Sequence, residues 1–205
     1  MLKLYYARGT CALASHIALE EAQADYEVER LDFAKNEQRS TAYLAINAKG
    51  RVPSLITERG TLTETPALLV YIAQLHPAAR LAPLDDPFAL ARMQEFNSYL
   101  CSTVHVAHGH RQRGARWSDD EAAHKSMAAK VPQNMRDCFA LIEREYLVGP
   151  WVMGEAYSVA DAYLFTVARW LAGDSVDLRE FPRAQAHFDR VAARPAVQKV
   201  MTLHA

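Results

Sequence analysis

A cysteine stands where the first predicted strand gives way to the first predicted helix, in the stretch KLYYARGTCALASHIALEEA. Backbone N–H groups at a helix N-terminus have no partner within the helix, and the helix dipole is positive there. Both effects favour a thiolate over a thiol, so a reactive Cys11 is one interpretation of this placement. The other interpretation is a small buried hydrophobic residue, which is the usual condition of a free cysteine.

Two other short stretches near the N-terminus carry groups suited to binding a ligand. Pro53 begins a strand in NAKGRVPSLI, where a cis peptide bond would present the Val52 backbone to a ligand, although a trans bond is the commoner state. Glu64 and Thr65 precede Pro66 in TETPALL, a pattern typical of a helix start with free N–H groups that could hold a carboxylate. An ordinary helix cap gives the same pattern.

A run rich in histidine and arginine follows in the predicted long helix NSYLCSTVHVAHGHRQRGARW. Its basic residues are His105, His108, His110, Arg111, Arg113 and Arg116. Two interpretations stay open, a solvated polar helix face and a basic wall that selects anionic co-substrates. The H-x-x-H-x-H spacing is only a weak metal signal because no carboxylate is close in sequence, and we expect no metal site.

Length and composition limit the class of protein. The 205 residues, 50% hydrophobic and 23% charged, are typical of a soluble globular chain. A net charge of −1 argues against general nucleic-acid binding, and apolar runs such as ALLVYIAQL are too short to cross a bilayer. We therefore expect no nucleic-acid or membrane partner. Three cysteines without C-x-x-C or zinc spacing predict no disulfide framework. The N-terminus resembles no secretory signal, which predicts a cytoplasmic location.

The spacing of apolar residues predicts two domains, an α/β one followed by an all-α one. The strand-like runs KLYY, YEVERLDF, RVPSLIT and TLT alternate with helical runs in the order β-α-β-α-β-β-α over residues 1–77. Residues 78–87 are rich in proline and form the expected linker, and residues 88–205 contain helical patterns only. Within that second domain, Ser158 and Asp161 have the spacing of a capping box, which predicts a structural role for Asp161.

Taken in order, five motifs resemble the cytosolic glutathione transferases. They are YYARGTCALASHIALEE, LDFAKNE, YLAINAKGRVPSLI, LTETPALLVYIA and SVADAYLFTVARW, and GTCALASHIA resembles the bacterial beta class of that family. The resemblance covers nearly the whole chain. It implies a thioredoxin-like glutathione-binding domain, an all-helical domain with an electrophile pocket, and a homodimer. The implied activity is glutathione transfer to small hydrophobic electrophiles, a detoxification reaction with glutathione as co-substrate and no other cofactor.

The same resemblance implies a role for individual residues. Cys11 corresponds to the cysteine that faces the glutathione sulfur, and Val52 to the residue whose backbone pairs with the cysteinyl moiety, before a proline that is cis in the family. Glu64 and Thr65 correspond to the acid and the hydroxyl that hold the γ-glutamyl ammonium and carboxylate. Lys35 corresponds to a lysine that reaches the glycyl carboxylate, a solvated loop charge being the alternative. The implied glutathione site comprises Thr10, Lys35, Val52, Pro53, Glu64 and Thr65.

Activation of the glutathione thiol is the implied mechanism. Lowering its pKa from about 8.5 by two units, which corresponds to about 2.7 kcal/mol, makes the thiolate dominant at neutral pH. The expected contributors are the first helix N-terminus, Cys11 and His105, which corresponds to a histidine facing the active site from the helical domain. The sequence departs from the family at Ser98 and Val106, where an asparagine and a lysine are expected. Tyr6 is an alternative hydroxyl donor, because other transferase classes use an N-terminal tyrosine.

Two other functions stay open at the level of sequence. A Cys11 that faces bound glutathione could form a mixed disulfide, which would make the protein a glutathione-dependent disulfide reductase. Only a monothiol route is available for it, since C-A-L-A lacks a second cysteine. A non-enzymatic protein that binds hydrophobic ligands on the same fold is the other alternative, because a fold does not fix a function.

Overall fold

The computed structural model describes residues 1–204, and its N-terminal part has the predicted order of strands and helices. The elements are β1 (Leu2–Tyr6), α1 (Ala12–Glu21), β2 (Tyr26–Arg30), α2 (Thr41–Ile46), β3 (Ser54–Thr57), β4 (Gly60–Thr63) and α3 (Thr65–Leu75). The prediction of an α/β N-terminal domain is therefore confirmed.

The four strands form one mixed sheet in the order β2-β1-β3-β4. β1 and β2 are parallel and are joined through α1, whereas β3 runs antiparallel to both β1 and β4. Leu4 of β1 lies opposite Leu55 of β3, and both are fully buried in the main core together with residues of α1 and α3. Because successive side chains of a strand point to opposite faces, Tyr5 lies on the other face, against the Tyr43 ring of α2.

The rest of the described chain contains helices and no strand longer than an isolated bridge. The helices are α4 (Pro87–Tyr99), α5 (His105–Gly109), α6 (Glu121–Leu141), α7 (Val159–Ala168), α8 (Pro182–Ala192) and α9 (Pro195–His204). A π-helical turn over residues 100–104 connects α4 to α5 without a break. Residues 80–86 form neither helix nor strand, and the domain boundary at 78–87 stays a prediction. Within residues 1–204, every helix is too short or too polar to span a membrane.

Helix α1 holds the two domains together. All its residues from Ala12 to Leu19 are buried, including the polar Ser15 and His16. It packs against α3 in its own domain and against α7 and α9 in the helical domain. Leu13 and Ile17 share one apolar cluster with Phe165 of α7 and Val197 of α9. The N-terminus of α1 therefore has a fixed position relative to both domains.

Helix α7 begins with the predicted capping box. The Ser158 backbone N–H donates to Asp161 Oδ2 at 2.7 Å, and the serine side chain accepts from the first turn. Asp161 Oδ1 also accepts from the Val152 N–H at 2.8 Å and lies 2.9 Å from His187 Nε2. The fully buried Asp161 carboxylate thus has hydrogen-bond partners from three segments of the helical domain, and its role is structural. The predicted capping box is confirmed.

Candidate active site

Two adjoining cavities of about 320 and 190 Å³ lie between the domains, at the N-terminus of α1. The residues that line both are Cys11, Arg51, Val52, His105, Arg113 and Arg116. The larger cavity also reaches the start of α3, and the smaller one reaches the turn that contains Phe33 and Arg39. The fold thus brings together three segments that are far apart in the sequence.

Cys11 precedes α1 directly and is only 8% exposed. Its thiol donates a long hydrogen bond to the Val52 carbonyl oxygen, 3.6 Å from Sγ. Burial has the largest effect on the Cys11 pKa and raises it, while a hydrogen bond with Thr65 and the charge of Arg113 lower it by less. Burial therefore opposes the activated thiolate that a helix N-terminus favours. In the structure the Cys11 thiol is a hydrogen-bond donor to the Val52 carbonyl oxygen.

The segment before β3 presents a backbone group to the cavity. The Val52–Pro53 peptide bond is cis, as the family resemblance implies. The β1–β3 register starts at Ser54, so Val52 and Pro53 lie outside the sheet and line the larger cavity. Thr10 lines the smaller cavity, but its hydroxyl already donates to the Ala7 carbonyl oxygen at 2.7 Å. Thr10 therefore shapes the loop before α1.

The start of α3 contributes an acid and a hydroxyl to the larger cavity. Glu64 has a φ of 74°, a value that residues other than glycine rarely adopt, and its carboxylate lies 2.5 Å from Lys49 Nζ. Its side chain is 63% exposed, so this ion pair is accessible to solvent. Thr65 is buried, is the first residue of α3 and lines the same cavity as Cys11. An ammonium and a carboxylate have suitable partners here.

His105 approaches the same point from the helical domain. Its ring centroid is 4.8 Å from that of Trp170, and the residue lines both cavities. Burial first, and then the charge of Arg113, lower the His105 pKa to about 4. His105 is therefore a neutral imidazole at neutral pH. Trp170 Nε1 donates to the Gly9 carbonyl oxygen at 3.2 Å and ties the loop before α1 to the helical domain.

The structure places Tyr6 and Lys35 away from both cavities. The Tyr6 hydroxyl donates to the Leu203 carbonyl oxygen at 3.4 Å, and its ring packs 4.6 Å from that of His204. The structure therefore does not bring Tyr6 to the cavities, because its side chain points to α9. Lys35 extends into solvent, 74% exposed, and pairs with Asp32 at 3.6 Å. Its exposure and its pairing with Asp32 favour the alternative of a solvated loop charge.

The basic run divides between two environments. Arg113 and Arg116 line both cavities. His108 Nδ1 lies 2.7 Å from Asp174 Oδ2, and Arg111 Nε lies 3.2 Å from Asp174 Oδ1. The buried Asp174 carboxylate therefore holds these two residues in the protein interior. Of the basic run, His105, Arg113 and Arg116 line the cavities, where a ligand could contact them.

The sequence did not single out four further cavity residues. Arg39, Arg51, Cys101 and Trp117 also line the cavities, and His110 packs against the Trp117 ring at 4.3 Å. Arg51 could have been considered for the site because it immediately precedes Val52. The sequence does not show, however, in which direction its side chain points. Among residues 1–204, no group of three or more His, Cys, Asp or Glu side chains is arranged to hold a metal ion.

Comparison with known proteins gives consistent matches across the chain. Residues 1–74 match the family model of the glutathione S-transferase N-terminal domain, and residues 96–195 match that of the C-terminal domain. Glutathione S-transferase GstA of Escherichia coli O157:H7 is 30% identical over 203 residues, which cover 98% of each chain.

Solved structures give the same picture. A glutathione transferase homologue from Sulfitobacter with bound glutathione superposes with a TM-score of 0.96 at 46% identity, over 99% of this chain and 98% of that one. A bacterial beta-class glutathione S-transferase from Sphingomonas chungbukensis gives a TM-score of 0.85 at 32% identity, over 99% and 98% of the two chains. Sequence and fold therefore agree over both domains.

Proposed function

Because the chain belongs to the glutathione S-transferase family and is a glutathione transferase, we propose that its inter-domain cavities bind glutathione with the sulfur beside Cys11. The observation that carries this assignment is the convergence of four groups. Cys11 Sγ lies 3.6 Å from the Val52 carbonyl oxygen, and Thr65 and Glu64 line the same cavity. A thiol, a backbone carbonyl, a hydroxyl and an acid are what the polar groups of this tripeptide require.

The γ-glutamyl end of glutathione fits the start of α3. In the proposed complex Glu64 accepts from the ammonium, and the Thr65 hydroxyl and the free N–H groups of the helix bind the carboxylate. Lys49 pairs with Glu64 in the structure, so the ammonium shares this carboxylate with the lysine. The glycyl carboxylate then lies toward Arg39 and Arg51, since Lys35 points away.

Two neutral donors stabilise the glutathione thiolate in this proposal. The Cys11 thiol exchanges the Val52 carbonyl for the glutathione sulfur, and the His105 imidazole donates from the other side. Hydrogen bonds to a charged group contribute about 1.5–3 kcal/mol each, so two of them suffice for the 2.7 kcal/mol that a shift of about two pKa units requires. The thiol proton passes to solvent, and the sulfur then attacks the electrophilic carbon.

The electrophile is proposed to enter from the helical domain. Val106, Trp117 and Tyr163 give the larger cavity apolar and aromatic walls on that side. Such walls suit a small hydrophobic co-substrate. The disulfide-reductase alternative is weaker, because it requires an activated Cys11 thiolate and burial raises the pKa of that thiol.

The glutathione site is tested by replacing Thr65 with an isosteric apolar residue. Thr65→Val removes the hydroxyl from a buried position and should weaken glutathione binding about 10- to 100-fold, the range for a hydrogen bond to a charged group. Isothermal titration calorimetry measures the affinity. Thr61→Val on β4, exposed and outside the cavities, is the matched control. If Thr65→Val and the control bind glutathione with equal affinity, the Thr65 hydroxyl does not contribute to the glutathione site.

We also propose a homodimer formed through the face that carries α3 and α4. Leu62, Leu75 and Phe88 are exposed apolar residues of β4, α3 and α4, and Phe88 is 75% exposed. Light scattering should give twice the 23.0 kDa chain mass. Phe88→Glu should shift this equilibrium to the monomer, whereas Val148→Glu, at an equally exposed position, should not. A wild-type monomer at micromolar concentrations would contradict the proposal.

A further inference from the structure

Four arginines, the arginine cluster, line the two cavities. Arg51, Arg113 and Arg116 line both, and Arg39 lines the smaller one. Within residues 1–204, none of the four has a carboxylate oxygen within 4.0 Å. The one acidic residue that lines either cavity in this part of the chain is Glu64, which already pairs with a lysine.

The positive charge of the arginine cluster lowers the pKa values of neighbouring basic groups. Burial lowers the Arg116 pKa, and Arg113, Arg51 and Arg39 lower it further. Arg113, Arg116 and Arg51 also contribute to the low pKa of His105, after burial. Holding like charges together without a counter-ion is unfavourable, so a bound anion would stabilise this arrangement.

Glutathione accounts for only part of this positive charge. It carries one ammonium and two carboxylates, and the proposed site assigns the γ-glutamyl groups to Glu64 and Thr65. The proposed site assigns the thiolate to the Cys11 and His105 donors. One carboxylate remains, and a pair of arginine forks from the N-terminal domain, Arg39 and Arg51, is sufficient for it. Arg113 and Arg116 belong to the helical domain, from which the electrophile is proposed to enter. These two arginines are left without an anionic partner.

An aromatic surface lies next to these two arginines. Trp117 follows Arg116 directly, lines the larger cavity and is 46% exposed. A Cβ at position 109 would come within 3.3 Å of the Trp117 ring, so Gly109 lets the indole lie close to α5. A planar ring can stack on the indole while a charged substituent reaches the guanidinium groups.

We propose that Arg113 and Arg116 bind a negatively charged substituent of the electrophile, so that the preferred co-substrates are anionic aromatic compounds. This inference rests on the proposed function and narrows its substrate class. With an aryl chloride, the glutathione sulfur forms the new C–S bond and chloride leaves with the electron pair of the C–Cl bond. The thiol proton passes to solvent, and the anionic substituent is unchanged by the reaction.

A pair of electrophiles that differ in one charge tests the inference. We would measure kcat/KM for 4-chloro-3,5-dinitrobenzoate and for its methyl ester, each corrected for the uncatalysed rate. The carboxylate should be preferred by the wild type. Combined Arg113→Gln and Arg116→Gln substitution should lower the ratio of the two kcat/KM values about 10- to 100-fold, the effect of losing charged hydrogen bonds.

Two further variants control for net charge and for folding. Lys125→Gln removes one exposed positive charge of α6 outside the cavities and should leave the ratio unchanged. The double lysine variant at positions 113 and 116 keeps the charges and should retain part of the preference. Rising ionic strength should weaken the preference in the wild type, because these guanidinium groups are accessible to screening.

A ratio that the double glutamine variant leaves unchanged would overturn the inference. So would a rise in the KM for glutathione with both electrophiles, since it would assign these arginines to glutathione. A wild type that conjugates the ester without preferring the carboxylate would refute the anionic preference and leave the transferase activity standing. Calorimetry with the two S-aryl glutathione products gives a readout independent of turnover. Tighter binding of the carboxylate product, lost in the double glutamine variant, supports the inference, and equal binding refutes it.

Discussion

At the level of single residues, burial decides the protonation states around the proposed glutathione sulfur. Burial shifts the pKa values of Cys11 and His105 in opposite directions, because desolvation disfavours the charged form of each group. The Cys11 pKa is raised and that of His105 falls to about 4, so both groups are neutral at pH 7. Both can therefore donate to a thiolate.

Alkylation rates test the state of Cys11. With iodoacetamide, Cys11 should react more slowly at pH 7 than an unperturbed cysteine, and its rate should rise only at a pH above the ordinary cysteine value. Cys101 is half-exposed and provides an internal comparison, although burial raises its pKa as well. Peptide mapping by mass spectrometry separates the two sites. Rapid modification of Cys11 at neutral pH would instead indicate an activated thiolate and favour the reductase alternative.

At the level of elements, the loop before α1 is held from the helical domain. Asp174 contacts His108, the His108 ring stacks on Trp170 at 4.5 Å, and Trp170 Nε1 donates to the Gly9 carbonyl oxygen. This chain of contacts ends two residues before Cys11. The position of the thiol therefore depends on the turn that follows α7 as well as on its own helix.

Trp170→Phe tests this connection, because it keeps an aromatic ring and removes only the indole N–H. The lost hydrogen bond should reduce the free energy of unfolding by about 1 kcal/mol and increase hydrogen exchange in residues 7–11. Lower kcat/KM for glutathione should accompany it. Trp151→Phe is the matched control, since its indole N–H makes no hydrogen bond within the described chain. Unchanged exchange in Trp170→Phe would show that the loop is held by other contacts.

At the level of the whole molecule, the C-terminal helix closes the core through two histidines. His16 Nδ1 of α1 lies 3.0 Å from His204 Nε2 of α9, and both rings pack against Tyr6. Burial lowers the pKa of His16 to about 4 and that of His204 to about 3. The packing that takes Tyr6 away from the active site thus also makes α9 sensitive to acid.

The stability of the fold should therefore decrease as the pH falls. Between the unfolded value of about 6.5 and the folded values, the unfolded chain binds more protons, so the contribution of the pair is complete above pH 6.5 and is lost on acidification. From pH 7 to pH 5 the loss should be on the order of 1–2 kcal/mol for each histidine, measured by urea unfolding. His204→Leu should reduce this pH dependence, and His76→Leu, outside the pair, should not. An identical dependence in both variants would contradict the assignment.

How far the sequence alone leads can be judged from particular residues. The strand and helix order followed from apolar periodicity, and Ser158 with Asp161 identified the start of α7, because these signals are local. Glu64 and Thr65 were recognised as a helix start, and they line the cavity as expected. Lys35 and Tyr6 were assigned by correspondence with a family. The structure places both elsewhere, since the direction of a side chain depends on contacts distant in sequence.

The sequence by itself determined the two-domain architecture, the family and the segments that meet at the active site, and the cytoplasmic location stays a prediction from it. Only the tertiary structure decided the charge states of Cys11 and His105, because desolvation depends on what covers a group. It also decided which of the arginines meet. Arg51 and Arg116 are 65 positions apart in the chain yet line the same cavities, and no local pattern encodes a contact made by the packing of two domains.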